Sequence, residues 1–445
     1  MSGLLFSAVH AETNDFSETG SLNIDPLNQA QAHFLKLLND GLYDEAVVAA
    51  RQTLEISRWT YGNNSLEAAL AQINLATSQS YTHDYKTAID NYQSSIAIIE
   101  AIEGIISPRL INPLMGLAAA YNASGLHNLA LLAYERSLRV NHVELGLQNE
   151  QQMPIRDGLT ESYIALGNQR KAGRQQEVQL TIIKNEYGEN SERLLPAIYK
   201  LAKWYQRTNQ PEQEAYQYRS ALRLIQNNTN KQSPEQVDVL RNLAALYQRN
   251  NMPAETLRLL KRSYRINAEA DGPDPLLAAD IQVQIGDAYN FFGERRNSQR
   301  YYVDAWNTLE QLGDQEALLE EYFAVPVHLG NAQLAEIYPS NLKTMTHYQE
   351  NPDKFENGYI TARFDIDTNG QVKNIRIIES YPSGLLEKHL RMKLSRQKFR
   401  PQIMDGIPVE TKDEQLQHQF KYEPQSEDTH NDGKSDRIER PQKTG

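Results

Sequence analysis

A period of 42 residues runs without drift from the N-terminal part of this chain to about residue 310. Aligned on Leu75, it continues through Leu117, Leu159, Leu201, Leu243 and Ile285. One place later stand Ala76, Ala118, Thr160, Ala202, Ala244 and Gly286. Three places further come Gln79, Tyr121, Tyr163, Tyr205, Tyr247 and Tyr289. The other half of each unit repeats as Ala46, Ala88, Ala130 and Ala172, and as Tyr92, Tyr134, Tyr218 and Tyr302. Gly62, Gly104, Gly146, Gly188 and Gly272 separate the units, and Gly41, Gly125, Gly167 and Gly293 separate their halves. A fixed period of this size is the mark of a stacked array, in which no unit buries its apolar face alone. Small residues let helix axes approach to roughly 8–10 Å, tyrosines fill the holes beside them, and glycine ends a helix in a left-handed turn.

Leu117, Ala118, Tyr121, Gly125, Ala130, Tyr134 and Ser137 together resemble the tetratricopeptide repeat, a pair of antiparallel helices. The usual unit has ~34 residues, so the longer period adds about one turn to each helix. Tyr61-Gly62 and Tyr187-Gly188 resemble the joints of the kinesin-light-chain subtype. The fifth and sixth copies depart from the pattern, with Glu214 and Thr256 at the alanine position and Pro211 and Pro253 in the turn. The resemblance implies a protein-binding scaffold rather than a chemistry. It also implies a concave groove, faced in those two units by Tyr199, Lys200, Lys203, Arg207, Arg241, Asn242 and Arg249. Cations gathered in a cleft focus the field on an anion, so this groove is expected to hold an acidic peptide or a chain carboxylate. A solvated helix face is the plainer alternative.

The formal charge of −12 argues against nucleic acid, which needs a concentrated basic surface. No run reaches the roughly 18 apolar residues of a membrane span. The absence of cysteine excludes disulfides, thiolate catalysis and cysteine-bound zinc. Gly3 to Ala11 is a short apolar run ending in Val9-x-Ala11, followed by a polar stretch. It reads as a truncated signal peptide over 1–11 with a polar mature N-terminus over 12–27, and so points to the periplasm. Ten scattered histidines form no metal-ligand spacing, and no nucleophile, base and oxyanion donor can be assembled. No enzyme, cofactor or metal is therefore expected.

Helical periodicity stops near Phe323, after a capping helix over 314–322. From Tyr359 the period becomes 2, with Ile360, Ala362, Phe364 and Ile366 on one face. Asp367-Thr368-Asn369-Gly370 supplies a hairpin turn, and 372–378 the return strand. Asp365, Asp367 and Asn369 imitate half a calcium loop, but the twelfth position, a glutamate in such loops, is Arg376. Leu386, Leu390 and Leu394 share a helical face, and a last strand reaches Tyr422 with Leu416, Phe420 and Tyr422 inward. Gly358, Phe364-x-Ile366-Asp367-x-x-Gly370, Val372, Phe399-Arg400-Pro401, Asp405-Gly406-x-Pro408-Val409 and Phe420 resemble the C-terminal domain of TonB. Tyr338-Pro339 resembles that family's Tyr-Pro step, set further upstream than usual. The membrane helix and proline-rich spacer of TonB have no counterpart here. The resemblance implies strand addition, with Leu416, Gln417, His418, Gln419, Phe420, Lys421 and Tyr422 as the edge.

The expected fold is mainly α: an α-solenoid of about seven hairpins over 28–324, a connector over 325–357, and a small α+β domain over 358–422. That domain is an antiparallel sheet with one packed helix, and 423–445 reads as a disordered tail. The expected function is that of a periplasmic adaptor or atypical energy transducer in TonB-dependent transport. Its partners would be an acidic peptide in the groove and an outer-membrane receptor segment or TonB-system component at the small domain. Two alternatives stay open: a periplasmic assembly scaffold without energy coupling, and a cytoplasmic cargo adaptor if the N-terminus is not a signal.

Overall fold

The computed structural model describes residues 26–229, 233–312, 315–330, 337–338, 347 and 351–424. The expected signal peptide over 1–11, most of the polar segment over 12–27 and nearly all of the tail over 423–445 lie outside the described residues. The chain divides into two compact units, 1–228 and 229–445.

The first unit is five helical hairpins. They are α1 (Pro26–Asn39) with α2 (Tyr43–Tyr61), α3 (Leu66–Tyr81) with α4 (Tyr85–Glu103), and α5 (Ile111–Ala123) with α6 (His127–Leu145). Then follow α7 (Met153–Ala165) with α8 (Gln169–Tyr187), and α9 (Leu195–Arg207) with α10 (Pro211–Asn228). The turn inside every hairpin has one residue at positive φ, and the series is Gly41, His83, Gly125, Gly167 and Asn209. Glycine takes this conformation freely, and asparagine tolerates it better than most residues. The fifth copy, which departs from the repeat pattern, therefore keeps the turn. Pro211, which would break a helix interior, instead opens α10, where its missing N–H costs nothing.

At two joints between hairpins, α4 to α5 and α6 to α7, a tyrosine is seated on a glycine. Tyr92 of α4 is buried, and its hydroxyl meets Thr77 Oγ1 at 2.9 Å. Its ring lies where a β-carbon on Gly116 of α5 would fall, and Tyr134 of α6 lies likewise over Gly158 of α7. Both glycines are ordinary helical residues, so space and not φ demands them. A second tie recurs 28 residues apart. Gln93 donates to the Tyr121 hydroxyl at 2.8 Å, and Tyr205 donates to Glu177 at 3.0 Å. Tyr163 reaches Glu135 at the same spacing, at 3.4 Å.

The second unit begins with α11 (Gln236–Arg249) and α12 (Pro253–Ala268), then α13 (Pro275–Phe291) and α14 (Arg295–Glu310), then α15 (Gln315–Phe323). Pro253 opens α12 as Pro211 opens α10. Asn251 and Gly293 continue the positive-φ series, whereas Gly272 does not adopt positive φ, because α12 ends at Ala268 and the joint is longer. On α13, Gly286 again makes room for a tyrosine: a β-carbon there would lie 2.6 Å from the Tyr302 ring. Short strands β1 (Val327–His328) and β2 (Ile337–Tyr338) precede the sheet strands β3 (Glu356–Ile366) and β4 (Val372–Tyr381). Helix α16 (Glu387–Leu394) follows, then β5 (Phe399–Arg400), β6 (Ile403–Met404), β7 (Ile407–Pro408) and β8 (Thr411–Tyr422). The main sheet has the order β2-β8-β3-β4, with β3 antiparallel to both long neighbours and β2 parallel to β8. Its core joins Ile360, Ala362, Phe364 and Ile366 to Leu390 and Leu394 of α16 and to Phe420 and Tyr422. Asp367 is the organiser of the β3–β4 turn, its Oδ1 accepting from the amides of Asn369 and Gln371 at 2.9 Å.

The expected borders at 324 and 358 both fall inside the second compact unit. The inter-unit glycine series Gly62, Gly104, Gly146, Gly188 would next fall on residue 230, which is Asn230. It is at this joint that the chain divides, and the last two hairpins share a compact unit with the sheet.

Substituting Gly116→Ala or Gly158→Ala tests the tyrosine seats. In an exposed helix this change gains about 1 kcal/mol. Here overpacking against Tyr92 or Tyr134 should reverse the sign and cost about 1–3 kcal/mol in urea denaturation. Gly313→Ala, outside the repeat pattern, should not show this loss.

Candidate protein-binding surfaces

On α9 of the first unit, Lys200 forms an ion pair with Asp157 of α7 and donates to Gln179 Oε1 at 2.9 Å. The guanidinium of Arg207 lies 5.6 Å from the centre of the Trp204 ring, and the Tyr199 ring lies 6.3 Å from that of Tyr218. Lys203 is exposed. Glu161, also on α7, has its carboxyl pushed up by burial and by Asp157, with Arg207 and Lys200 pulling it down. Cations and carboxylates thus alternate here. The acids lie about one repeat from the cations they meet, as Asp157 does from Lys200.

In the second unit, Arg241 forms an ion pair with Asp280 of α13, and its Nε donates to Gln284 Oε1 at 3.0 Å. Asn242 donates to the backbone of Asp238 at 2.9 Å. Both residues, with Arg249, line a cavity of about 730 Å³, but so do Asp238 and Asp287. The chain itself enters this space. Leu329 and Gly330, just past β1, also line the cavity, and Gln248 donates to Leu329 O at 3.4 Å. The backbone at Leu329 thus lies against α11.

The Phe399-Arg400-Pro401 motif is used at the same helix. Asn290 of α13 donates to Phe399 O at 2.8 Å, and Lys398 donates to Phe291 O at 2.6 Å. Arg400 is buried, with its Nε 3.8 Å from Asp287 Oδ1 and its guanidinium over the Phe323 ring. Tyr302 donates to the same carboxylate at 2.9 Å. Burial pushes the Asp287 carboxyl up, against the pull of Arg400 and the Tyr302 hydroxyl. The repeat pattern placed Tyr302 among the packing tyrosines and gave no role to Asp287 or Asn290.

The predicted strand-addition edge is the C-terminal half of β8. Phe420 and Tyr422 are buried, Leu416 packs partly against them, and Gln417 and Gln419 are exposed. His418 is half-buried, and its ring stacks on that of Phe420 at 5.8 Å. One side of β8 pairs with β3 from Thr411 to Tyr422. On the other side, β2 pairs Ile337 with Lys421 and Tyr338 with Tyr422. Among the described residues, 411–420 have no strand on that side. The last two residues of the predicted edge are thus already taken by the segment containing Tyr338.

The Asp287–Arg400 contact makes a specific prediction. Arg400→Met leaves a buried carboxylate without its cation and should cost the second unit about 3–5 kcal/mol at neutral pH. Because burial raises the Asp287 pKa, the cost should shrink at about pH 5, where the carboxyl takes up a proton more readily. The double variant Asp287→Asn/Arg400→Met should recover most of the loss, as read by denaturant midpoints of all four proteins.

Residues 29–101 match the family described as tetratricopeptide repeat, and residues 353–422 the family described as Gram-negative bacterial TonB protein C-terminal. No curated protein matches the chain. Among solved structures, BtubC (BKLC) from P. vanneervenii is 18% identical, with a TM-score of 0.36, covering 58% of this chain and 96% of its own. A putative kinesin light chain of Podosopora anserina is 17% identical, with a TM-score of 0.33, over 55% of this chain and 96% of that one. A signal-transduction ATPase with a tetratricopeptide repeat sensor from Pyrococcus horikoshii is 15% identical, with a TM-score of 0.44. The match covers 66% of this chain and 43% of that one. The chain thus carries a tetratricopeptide repeat region and, at the other end, a TonB C-terminal domain.

Proposed function

We propose that this chain is a periplasmic, non-enzymatic adaptor or atypical energy transducer associated with TonB-dependent transport across the outer membrane. The repeat region supplies protein binding, and the small domain adds a strand from a receptor segment. The observation that carries this reading is the outer side of β8, where 411–420 have no strand partner among the described residues. Such an edge offers a row of backbone donors and acceptors, and alternate side chains supply selectivity. No described helix is long and apolar enough to cross a membrane, so on this reading any membrane anchoring comes from a partner or from outside the described residues.

Two observations favour a second reading, an assembly scaffold without energy coupling. Part of the β8 edge is occupied by β2, and the Arg400 motif is spent on α13.

Proline at Gln417 or Gln419 tests strand addition, because it removes a donor without opening the core. We expect one of the two folded proline variants to lose binding to synthetic receptor plug segments in calorimetry, while Gln417→Ala and Gln419→Ala retain it. Binding by every folded variant would overturn strand addition at this edge. No binding by the unaltered protein would leave the scaffold reading in its place. Export is tested separately: the N-terminal sequence of protein from the periplasmic fraction should read Glu-Thr-Asn, from Glu12. An intact Met1 in the cytosol would overturn it.

A further inference from the structure

The long strands of the main sheet leave two sides open, one on β4 and one on β8, and the two are built differently. β4 carries exposed Lys373, Arg376 and Glu379, its pairing with β3 shifts register twice, and Arg391 of α16 donates to its Ile375 O at 2.6 Å. Charges, bulges and covered backbone groups keep a sheet edge from pairing. On β8 the charges stand toward the two ends. Lys412 lies 3.8 Å from Glu410, Asp413 forms an ion pair with Arg376, Glu414 is half-buried, and Lys421 pairs with β2. Between them, Gln415, Leu416, Gln417, His418 and Gln419 include no carboxylate, no ammonium and no proline. Their pairing with residues 359–363 of β3 runs without a shift.

Residues opposed across a ladder share a face of the sheet. Leu416 opposes Ala362 and His418 opposes Ile360, so both lie on the core side, where they are half-buried. Gln415, Gln417 and Gln419 oppose Arg363, Thr361 and Tyr359 on the other side. All three glutamines are exposed, and their amides have no partner among the described residues. Arg363 is exposed too, but one strand removed from the open side, and Glu379 is held by the Tyr359 hydroxyl at 2.6 Å.

A strand laid along 415–419 therefore meets a different chemistry at each alternate residue. Granted strand addition at this edge, we infer that the ligand is an uncharged segment in which apolar residues alternate with asparagine, glutamine, serine or threonine. Its apolar side chains extend the core past Leu416 and His418. Its amides and hydroxyls meet the row of glutamines, since side-chain amides in register across strands bond to one another as a ladder. A charge at those positions would find no opposite charge on β8 from 415 to 419. The β8 strand of a second copy is the rival occupant, because it has the same glutamines. Laid antiparallel about Gln417, its residues 412 and 413 would fall against Tyr422 and Lys421, where β2 already sits.

Calorimetric titration of the full chain with capped peptides tests the inference. One peptide alternates valine with asparagine, glutamine and threonine. Two others have glutamate or lysine at the polar positions, and a fourth has the residues of the first with its valines contiguous. The first should bind at least about tenfold more tightly than any of the others. Gln417→Glu, on the exposed side and with an unchanged circular dichroism spectrum, should instead prefer the lysine peptide over the first by about threefold or more. Equal binding of all four, or tightest binding of a charged one, overturns the inference and leaves strand addition standing. The inference also falls alone if receptor plug segments bind and none of these peptides does. If nothing binds, strand addition falls with it. A dimer in sedimentation equilibrium that Gln417→Pro abolishes and the first peptide dissociates would make a second copy the occupant, and so overturn the inference as well.

Discussion

The array depends on a steric fit: a tyrosine on the second helix of a unit lying in a place that only glycine leaves open on a first helix beside it. Tyr92 with Gly116, Tyr134 with Gly158, and Tyr302 with Gly286 are three instances. Because the interior is packed as closely as a crystal, the fit fixes how near adjacent helices come. That nearness brings polar side chains into range at fixed offsets. The ties between tyrosines and residues 28 places earlier recur in both units, ending with Lys261 donating to the Tyr289 hydroxyl at 2.8 Å. Ion pairs such as Lys200–Asp157 and Arg241–Asp280 span close to one repeat. In a stack of this kind the residue nearest in space is often the residue one period away.

That rule explains what was legible in the amino-acid order and what was not. The hairpins, the core face of β3 and the turn at Asp367 to Gly370 follow from local periodicity and turn chemistry, and the structure contains all three. The turn residues His83, Asn209 and Asn251 were hidden because a search for glycine misses residues that adopt the same φ. Gly116 and Gly158 were hidden for the opposite reason, since they serve packing and not conformation. The acids that neighbouring helices bring to α9 and α11, Asp157 and Asp280, could not be read from those two helices alone. Within the small domain, the inward face of β8 was readable from alternation. The presence of β2 beside it was not, because a two-residue parallel strand has no periodicity to detect.

The C-terminal domain is joined to the last helices by more than its connector. The Phe399 to Pro401 motif, β1 and the end of α13 exchange hydrogen bonds at Asn290, Lys398 and Leu329. The Arg400–Asp287–Tyr302 cluster lies among them. A β-carbon on Gly370 would overlap the Phe399 carbonyl, so the hairpin turn of β3 and β4 is also part of the joint. All of these ties lie inside the second compact unit.

The twelve-residue strand β8 has a mechanical consequence. Its hydrogen bonds to β3 extend from Thr411 to Tyr422 and run across the strand axis, as in any antiparallel ladder. A tug applied along β8 therefore strains the whole ladder in shear, and its bonds share the load. A tug applied at right angles at one end would open the ladder bond by bond, as a zipper does. A second strand laid along the open side of β8 would inherit the same anisotropy, gripping firmly against an axial load and peeling away under a transverse one.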